Sequence, residues 1–297
     1  MGVSTSKTAR AWTIETVLAW ATEDFRSRHL DSPRLDAELL LVHALGATRV
    51  EIIIDSKRPL AGVELGRFRA LVRRRRAHEP IAYIVGSREF YGRNFRVDRR
   101  VLIPRPDTET LVEVALGRTR ALSLCMRALD LCTGSGCVAI TLGRERPTAP
   151  ITATDVSEDA IAVARDNGLR LGAYNVAFRV GDLFAPIDNL QHFDLITANP
   201  PYITSTEIDG LASDIRDHEP RLALDGGPEG LDLLRRIITG APAHLSEGGV
   251  LAVEVADGQA ARVVELFREA GLSDIEVRRD YARVERVVSA VLRTYAA

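Results

Sequence analysis

The tetrapeptide Asn199-Pro200-Pro201-Tyr202 has the strongest chemical character in the chain. Two consecutive prolines fix φ and remove two backbone donors. The polar atoms left at such a bend are mostly acceptors: the Asn199 side-chain oxygen and the Pro200 carbonyl. Two acceptors suit a planar NH2 group, whose two hydrogens need two partners. An amide nitrogen is a poor nucleophile because its lone pair is delocalised into the carbonyl. Holding both hydrogens positions that nitrogen and favours the pyramidal geometry of attack, so positioning and electrostatics would carry most of the rate. Tyr202 can pack over the group, shield it from water and offer a π face to a cation. In this reading Asn199, Pro200 and Tyr202 are catalytic, and Asn199, Pro200, Pro201 and Tyr202 hold the substrate. The plainer alternative is a rigid turn with a buried aromatic.

A second cluster is Asp130-Leu131-Cys132-Thr133-Gly134-Ser135-Gly136. Glycines here permit a tight turn and let a ligand approach the backbone closely. Gly134, Gly136 and Ala139 satisfy G-x-G-x-x-G/A, and Asp155 stands where a ribose-binding acid is expected. Asp182 ends the segment before Leu183, where a carboxylate could take an adenine amino group and Leu183 could cover the ring; the competing role is a turn or cap. The cofactor-binding candidates are therefore Cys132, Thr133, Gly134, Ser135, Gly136, Asp155, Asp182, Leu183 and Asn199. On these residues alone a nicotinamide cofactor remains a competitor.

These residues need a scaffold. After about Arg127, short apolar β-branched runs alternate with helical patterns, which implies a doubly wound parallel sheet covered on both faces. The runs around 275–281 and 286–292 are too close for a helical crossover, so they must pair antiparallel. A mostly parallel seven-stranded sheet with a terminal antiparallel hairpin is the α/β Rossmann-like layout of class I methyltransferases, and it shifts the cofactor expectation to S-adenosylmethionine. Residues 12 to about 78 show helical spacing at Ile14, Val17, Leu18 and Phe25, then a helix opened by Ser32-Pro33 and stopped at Gly46. The segments 88–97 and 99–106 read as two extended runs of a hairpin linker. The expected organisation is a helical docking domain over 1–80, a β-hairpin linker over 81–104 and a methyltransferase domain over 105–297.

Arg67, Arg69 and Arg73 to Arg76 crowd the last helix of the first domain, either as a solvated face or as a docking surface for an acidic or RNA-bound partner. The formal net charge of the 297 residues is only -2, which argues against a protein built to coat nucleic acid. Cys125, Cys132 and Cys137 match no disulfide or zinc spacing, and a reducing cytoplasm is the simplest compartment. The latter two read as packing residues. His29, His43, His78, His192, His218 and His244 form no metal-ligand pattern, so no metal is expected. Met1-Gly2 with Ser6 matches a lipidation pattern only by chance, and no run approaches the ~20 apolar residues of a membrane span. A monomer is expected.

At these residues the chain resembles the HemK/PrmC family of protein-(glutamine-N5) methyltransferases. The resemblance runs through Glu79 to Ile84, Arg88 to Tyr91 and Leu102 to Glu109. It continues in the glycine loop, the Asn-Pro-Pro-Tyr bend, Glu219 to Leu224, and Arg279 to Val287. It implies that Cys132 to Gly136, Asp155 and Leu183 line S-adenosylmethionine while Asn199 to Tyr202 hold a glutamine. It also implies that the substrate is the Gly-Gly-Gln loop of class I peptide chain release factors, with the helical domain as docking module. Two residues depart from the family pattern: Cys132 stands where a glycine is common, and Leu183 where an aromatic is common. The Asn-Pro-Pro-Tyr element is shared with enzymes that methylate nucleobase amines, which leaves a nucleic-acid methyltransferase as the main alternative. A nicotinamide oxidoreductase and a non-catalytic binding module are the others.

Overall fold

The computed structural model describes residues 12–123 and 125–293; the Met1-Gly2-Ser6 pattern lies outside them. The chain divides into two compact units, Met1–Gly86 and Ser87–Ala297.

The first unit is helical, with helices at Ile14–Ser27, Pro33–Leu45, Arg49–Ile54, Gly62–Arg76 and Ile81–Val85. Thr13 caps the first through a reciprocal box with Thr16. Gly46, at φ +62°, closes the second in the left-handed region, as its position at the end of the apolar pattern predicts. Phe25, Leu40, Leu41, Phe68 and Val72 are buried together as one core. The arginine run turns out to bind these helices to one another. Arg75 is buried and donates to Asp36 at 2.7 Å, Arg74 makes two bonds to Glu79, and Arg76 makes two to Asp24 while lying over Trp20. Arg73 is exposed.

The second unit opens with an antiparallel hairpin, β1 (Ser87–Phe90) and β2 (Arg93–Arg96), turning at Tyr91-Gly92. The expected second extended run over 99–106 is not a strand. The hairpin closes inside the first run because Tyr91, at φ +50°, and Gly92, at φ +70°, supply a two-residue left-handed turn. The remaining strands are β3 (Ala128–Leu131), β4 (Ile151–Asp155), β5 (Val176–Val180), β6 (Phe193–Ala198), β7 (Leu245–Glu254), β8 (Leu272–Arg279) and β9 (Glu285–Leu292). They form one seven-stranded sheet in the order β5-β4-β3-β6-β7-β9-β8. Pairing is parallel from β5 through β7, and β9 is antiparallel to both β7 and β8. Helices such as Cys137–Glu145, Glu158–Arg170, Asp232–Gly240 and Ala260–Glu269 complete the crossovers, and separate apolar cores fill the two sides of the sheet. Strand order reverses between β3 and β6, so a crevice opens beyond their carboxyl ends. Among the described residues, no helix is long and apolar enough to cross a membrane.

Candidate active site

A cleft of about 320 Å3 lies at that reversal. Its walls come from the turn after β3, the end of β4, the segment after β5, the bend after β6, and two irregular segments around Leu102–Arg105 and Pro220–Ala223.

The turn after β3 is shaped by backbone conformation. Cys132, Gly134 and Gly136 all have positive φ, at +57°, +54° and +81°. A side chain on Gly136 would sit 2.7 Å from Ile140 and 3.2 Å from Ala164, so glycine lets the following helix pack close. A side chain on Gly134 would meet nothing within 4 Å, which leaves the crest of the turn open to a ligand. Beneath it, Asp130 accepts from the hydroxyls of Thr133 (2.6 Å) and Thr197 (2.7 Å). Burial pushes the Asp130 carboxyl up to about 6, against the hold of those two hydroxyls and the Ala139 amide. Asn167, fully buried, donates to Ser135 O and to Arg96 O, tying the turn to β2.

Asp155, at the end of β4, accepts from Gly134 N at 2.8 Å and from Ser157 N at 2.9 Å. Burial raises its pKa and these amides oppose the rise. It lines the cleft. Asp182 also lines the cleft, but it is exposed and its Oδ2 accepts from Arg236 at 2.7 Å. Leu183, buried at φ +49°, faces the cleft and has its carbonyl held by Thr154. Burial pushes both Cys132 and Cys137 thiols up, the latter to about 12, so neither is a nucleophile at neutral pH.

The bend after β6 shows its polarity directly. Asn199 Nδ2 donates to Thr108 Oγ1 at 3.0 Å, so the amide atom left to the cleft is the acceptor Oδ1. Pro201 lines the cleft with Asn199, whereas Gly136, Pro200 and Tyr202 are not among its wall residues. Tyr202 packs against the core, and its hydroxyl donates to Glu254 Oε1 at 3.1 Å. Its backbone is clamped as well. Gln259 donates to Tyr202 O, and Ile203 bridges to Asp225 through Leu224 O and Gly226 N. A side chain on Gly226 would lie 2.8 Å from Pro201 O, so only glycine lets this strap lie across the bend.

Glu219 links the two irregular segments. Its side chain is 1% exposed, and it accepts from Arg105 at 2.6 Å and from Ile103 N at 3.2 Å. Burial raises its pKa against the pull of Arg105. Arg221, two residues on, pairs with Asp225 and not with Glu219. Thr108, Arg105, Arg236 and Glu254 are neighbours of the candidate residues that sequence reasoning did not single out, and Asp130, named there only as part of the turn, supports it from below. For Thr108 and Arg105 a signal existed, since both fall in the 102–109 segment. For Glu254, which sits in an apolar strand, the charged residue within the run was the only one.

Sheet order, glycine-rich turn and acceptor bend together define a methyltransferase of the class I fold. A family model described as the PrmC N-terminal domain matches residues 16–86, and one described as the methyltransferase small domain matches residues 110–222. The release factor glutamine methyltransferase of Geobacter sulfurreducens is 42% identical over 277 residues, covering 93% of this chain and 96% of its own. That of Cereibacter sphaeroides is 43% identical over 264 residues, covering 89% and 92%. The chain belongs to the release factor glutamine methyltransferase family. A solved methyltransferase from Pyrococcus furiosus, 19% identical with a TM-score of 0.52, covers 76% of this chain and 98% of its own, and shares the fold.

Proposed function

We propose that this enzyme transfers a methyl group from S-adenosylmethionine to the side-chain nitrogen of the glutamine in the Gly-Gly-Gln loop of class I peptide chain release factors. The observation that carries the reading is the polarity of Asn199: with its NH2 bound to Thr108 Oγ1 at 3.0 Å, its acceptor oxygen is left to the cleft. A glutamine NH2 needs two acceptors; the Asn199 oxygen would be one and the Pro200 carbonyl the other.

The bound cofactor would supply an electrophilic methyl carbon on a cationic sulfur. Asp155 would hold the ribose hydroxyls, Leu183 would cover the adenine, and the open crest at Gly134 would admit the cofactor chain. Asn199 and Pro200 would grip the two amide hydrogens and turn the nitrogen lone pair toward that carbon, a gain of positioning and preorganised electrostatics. Once methylated, the amide nitrogen would be a strong acid and would give its extra proton to water, so the residues of the bend need only bind and orient it. No residue of the cleft has to act as a strong base.

The test is mass spectrometry of a class I release factor after incubation with enzyme and S-adenosylmethionine. One added methyl on the loop glutamine is expected, with Asn199→Ala slowing its appearance about a hundredfold or more. Transfer to a nucleobase amine in place of the glutamine would overturn the reading.

A further inference from the structure

We propose that Arg236 determines specificity for the base of S-adenosylmethionine: by holding one oxygen of Asp182 from across the cleft, it fixes the other as the acceptor for the 6-amino group of adenine. This rests on the reading that Leu183 covers the adenine.

Leu183 can cover any flat apolar ring, so it does not choose a base. Choosing a base needs a partner at the polar edge of the ring. Adenine offers a 6-amino group there, and an amino group needs an acceptor. Three carboxyls line the cleft: Asp130, Asp155 and Asp182. Asp130 is buried beneath the glycine turn and already accepts from Thr133 and Thr197. Each oxygen of Asp155 already accepts a backbone amide, from Gly134 and from Ser157. Asp182, next to Leu183, is the carboxyl left for the base.

Arg236 occupies only one side of it. Its Nη2 donates to Oδ2 at 2.7 Å, and Oδ1 has no hydrogen-bond partner among the described residues. Both residues line the cleft, one from the segment after β5 and one from the helix Asp232–Gly240. These two elements do not need the ion pair to hold them together. Leu183 O is tied to Thr154, and a side chain on Gly240 would lie 2.8 Å from the Phe184 ring, which stacks on His244 at 4.6 Å. The pair is about half exposed on each side, so it adds little to stability. Its consequence is direction. A lone Asp182 would turn freely in water and be ordered only on binding, whereas the pair orders it beforehand. A guanidinium also has only donors, so it accepts nothing but an oxygen from residue 182. The adjacent Arg235 does not line the cleft and pairs with Glu229 and Asp232 in its own stretch of chain.

The experiment measures Kd by calorimetry for S-adenosylhomocysteine and for its analogue with hydrogen in place of the 6-amino group. The ratio of the two values reads what the amino group contributes. Wild type, R236A, D182N and D182N/R236A are compared as full-length proteins. Wild type is expected to prefer the amino compound about tenfold, and R236A only about threefold. In D182N the asparagine must give its oxygen to Arg236, which turns its NH2 toward the amino group, so the preference should vanish or invert. In D182N/R236A the asparagine is free to turn its oxygen to the base, and a preference of about threefold should return. Unfolding temperatures of the four should agree to about 2 °C. A loss in R236A that is equal for both compounds overturns the proposal, and so does a D182N preference that R236A does not restore. Leu183→Ala should weaken both compounds alike. Affinities unchanged by it would instead remove the reading that adenine lies there.

Discussion

Cys132 sits at φ +57°, a conformation in which a β-carbon crowds the following carbonyl and costs roughly 1–2 kcal/mol. The family's usual glycine at this place therefore has a backbone reason. The Cys132 side chain packs against the core. Cys132→Gly trades relief of strain for lost packing and should change stability by less than about 1 kcal/mol. Cys132→Val, close in size but β-branched, should destabilise by about 2 kcal/mol, since a branched side chain tolerates this region least. Denaturant midpoints of the two variants test the pair, and equal stabilities would show that strain is not the controlling term. Leu183, at φ +49°, is held in the same region, with its carbonyl tied to Thr154.

Among elements, the arginine-rich helix Gly62–Arg76 carries the clearest stability forecast. Arg75 and Asp36 are both buried and joined at 2.7 Å, so removing one partner strands a buried charge. Asp36→Ala should cost about 3–5 kcal/mol. Arg73→Glu, on the exposed side of the same helix, should stay within about 0.5 kcal/mol. Thermal or denaturant unfolding distinguishes them, and a mild Asp36→Ala would mean that water reaches the pair. Three of the four consecutive arginines are thus used inside their own unit, by Glu79, Asp36 and Asp24. A role in docking release factors would rest on Arg73 and its exposed neighbours rather than on the run as a whole.

At the scale of the molecule, several carboxyls of the methyltransferase unit are buried with raised pKa values: Glu254 to about 7, Asp130 to about 6, and Asp155 and Glu219 upward. Each binds its proton more tightly folded than unfolded. Their contribution is therefore fullest at acid pH and is lost as pH rises through the window between the ordinary carboxylate value and the folded one. His244, held low by burial, works in the opposite direction. The rise at Glu254 alone corresponds to roughly 3 kcal/mol. Unfolding free energy should consequently be lower at pH 7.5 than at pH 5, and E254Q should shrink the difference. A wild-type protein that is more stable at pH 7.5 would refute this balance.

How much of this was legible beforehand follows from which interactions are local. The helix at Pro33–Leu45 with its glycine stop, the alternation of strands and helices after Arg127 and the antiparallel end of the sheet all depend on periodicity and short connections, which a linear sequence carries in full. So do the glycine turn and the acceptor bend, whose conformations are dictated by glycine and proline at fixed offsets. The hairpin position is not legible in the sequence because its turn depends on Tyr91 adopting positive φ, which no propensity favours. Tertiary structure alone decided the partners: Thr108 for Asn199, Glu254 for Tyr202, Arg105 for Glu219, Asp36 for Arg75. Residues such as Thr108 and Asn199 are far apart in the chain, and only the folded sheet sets the distance at which one hydroxyl can direct one amide.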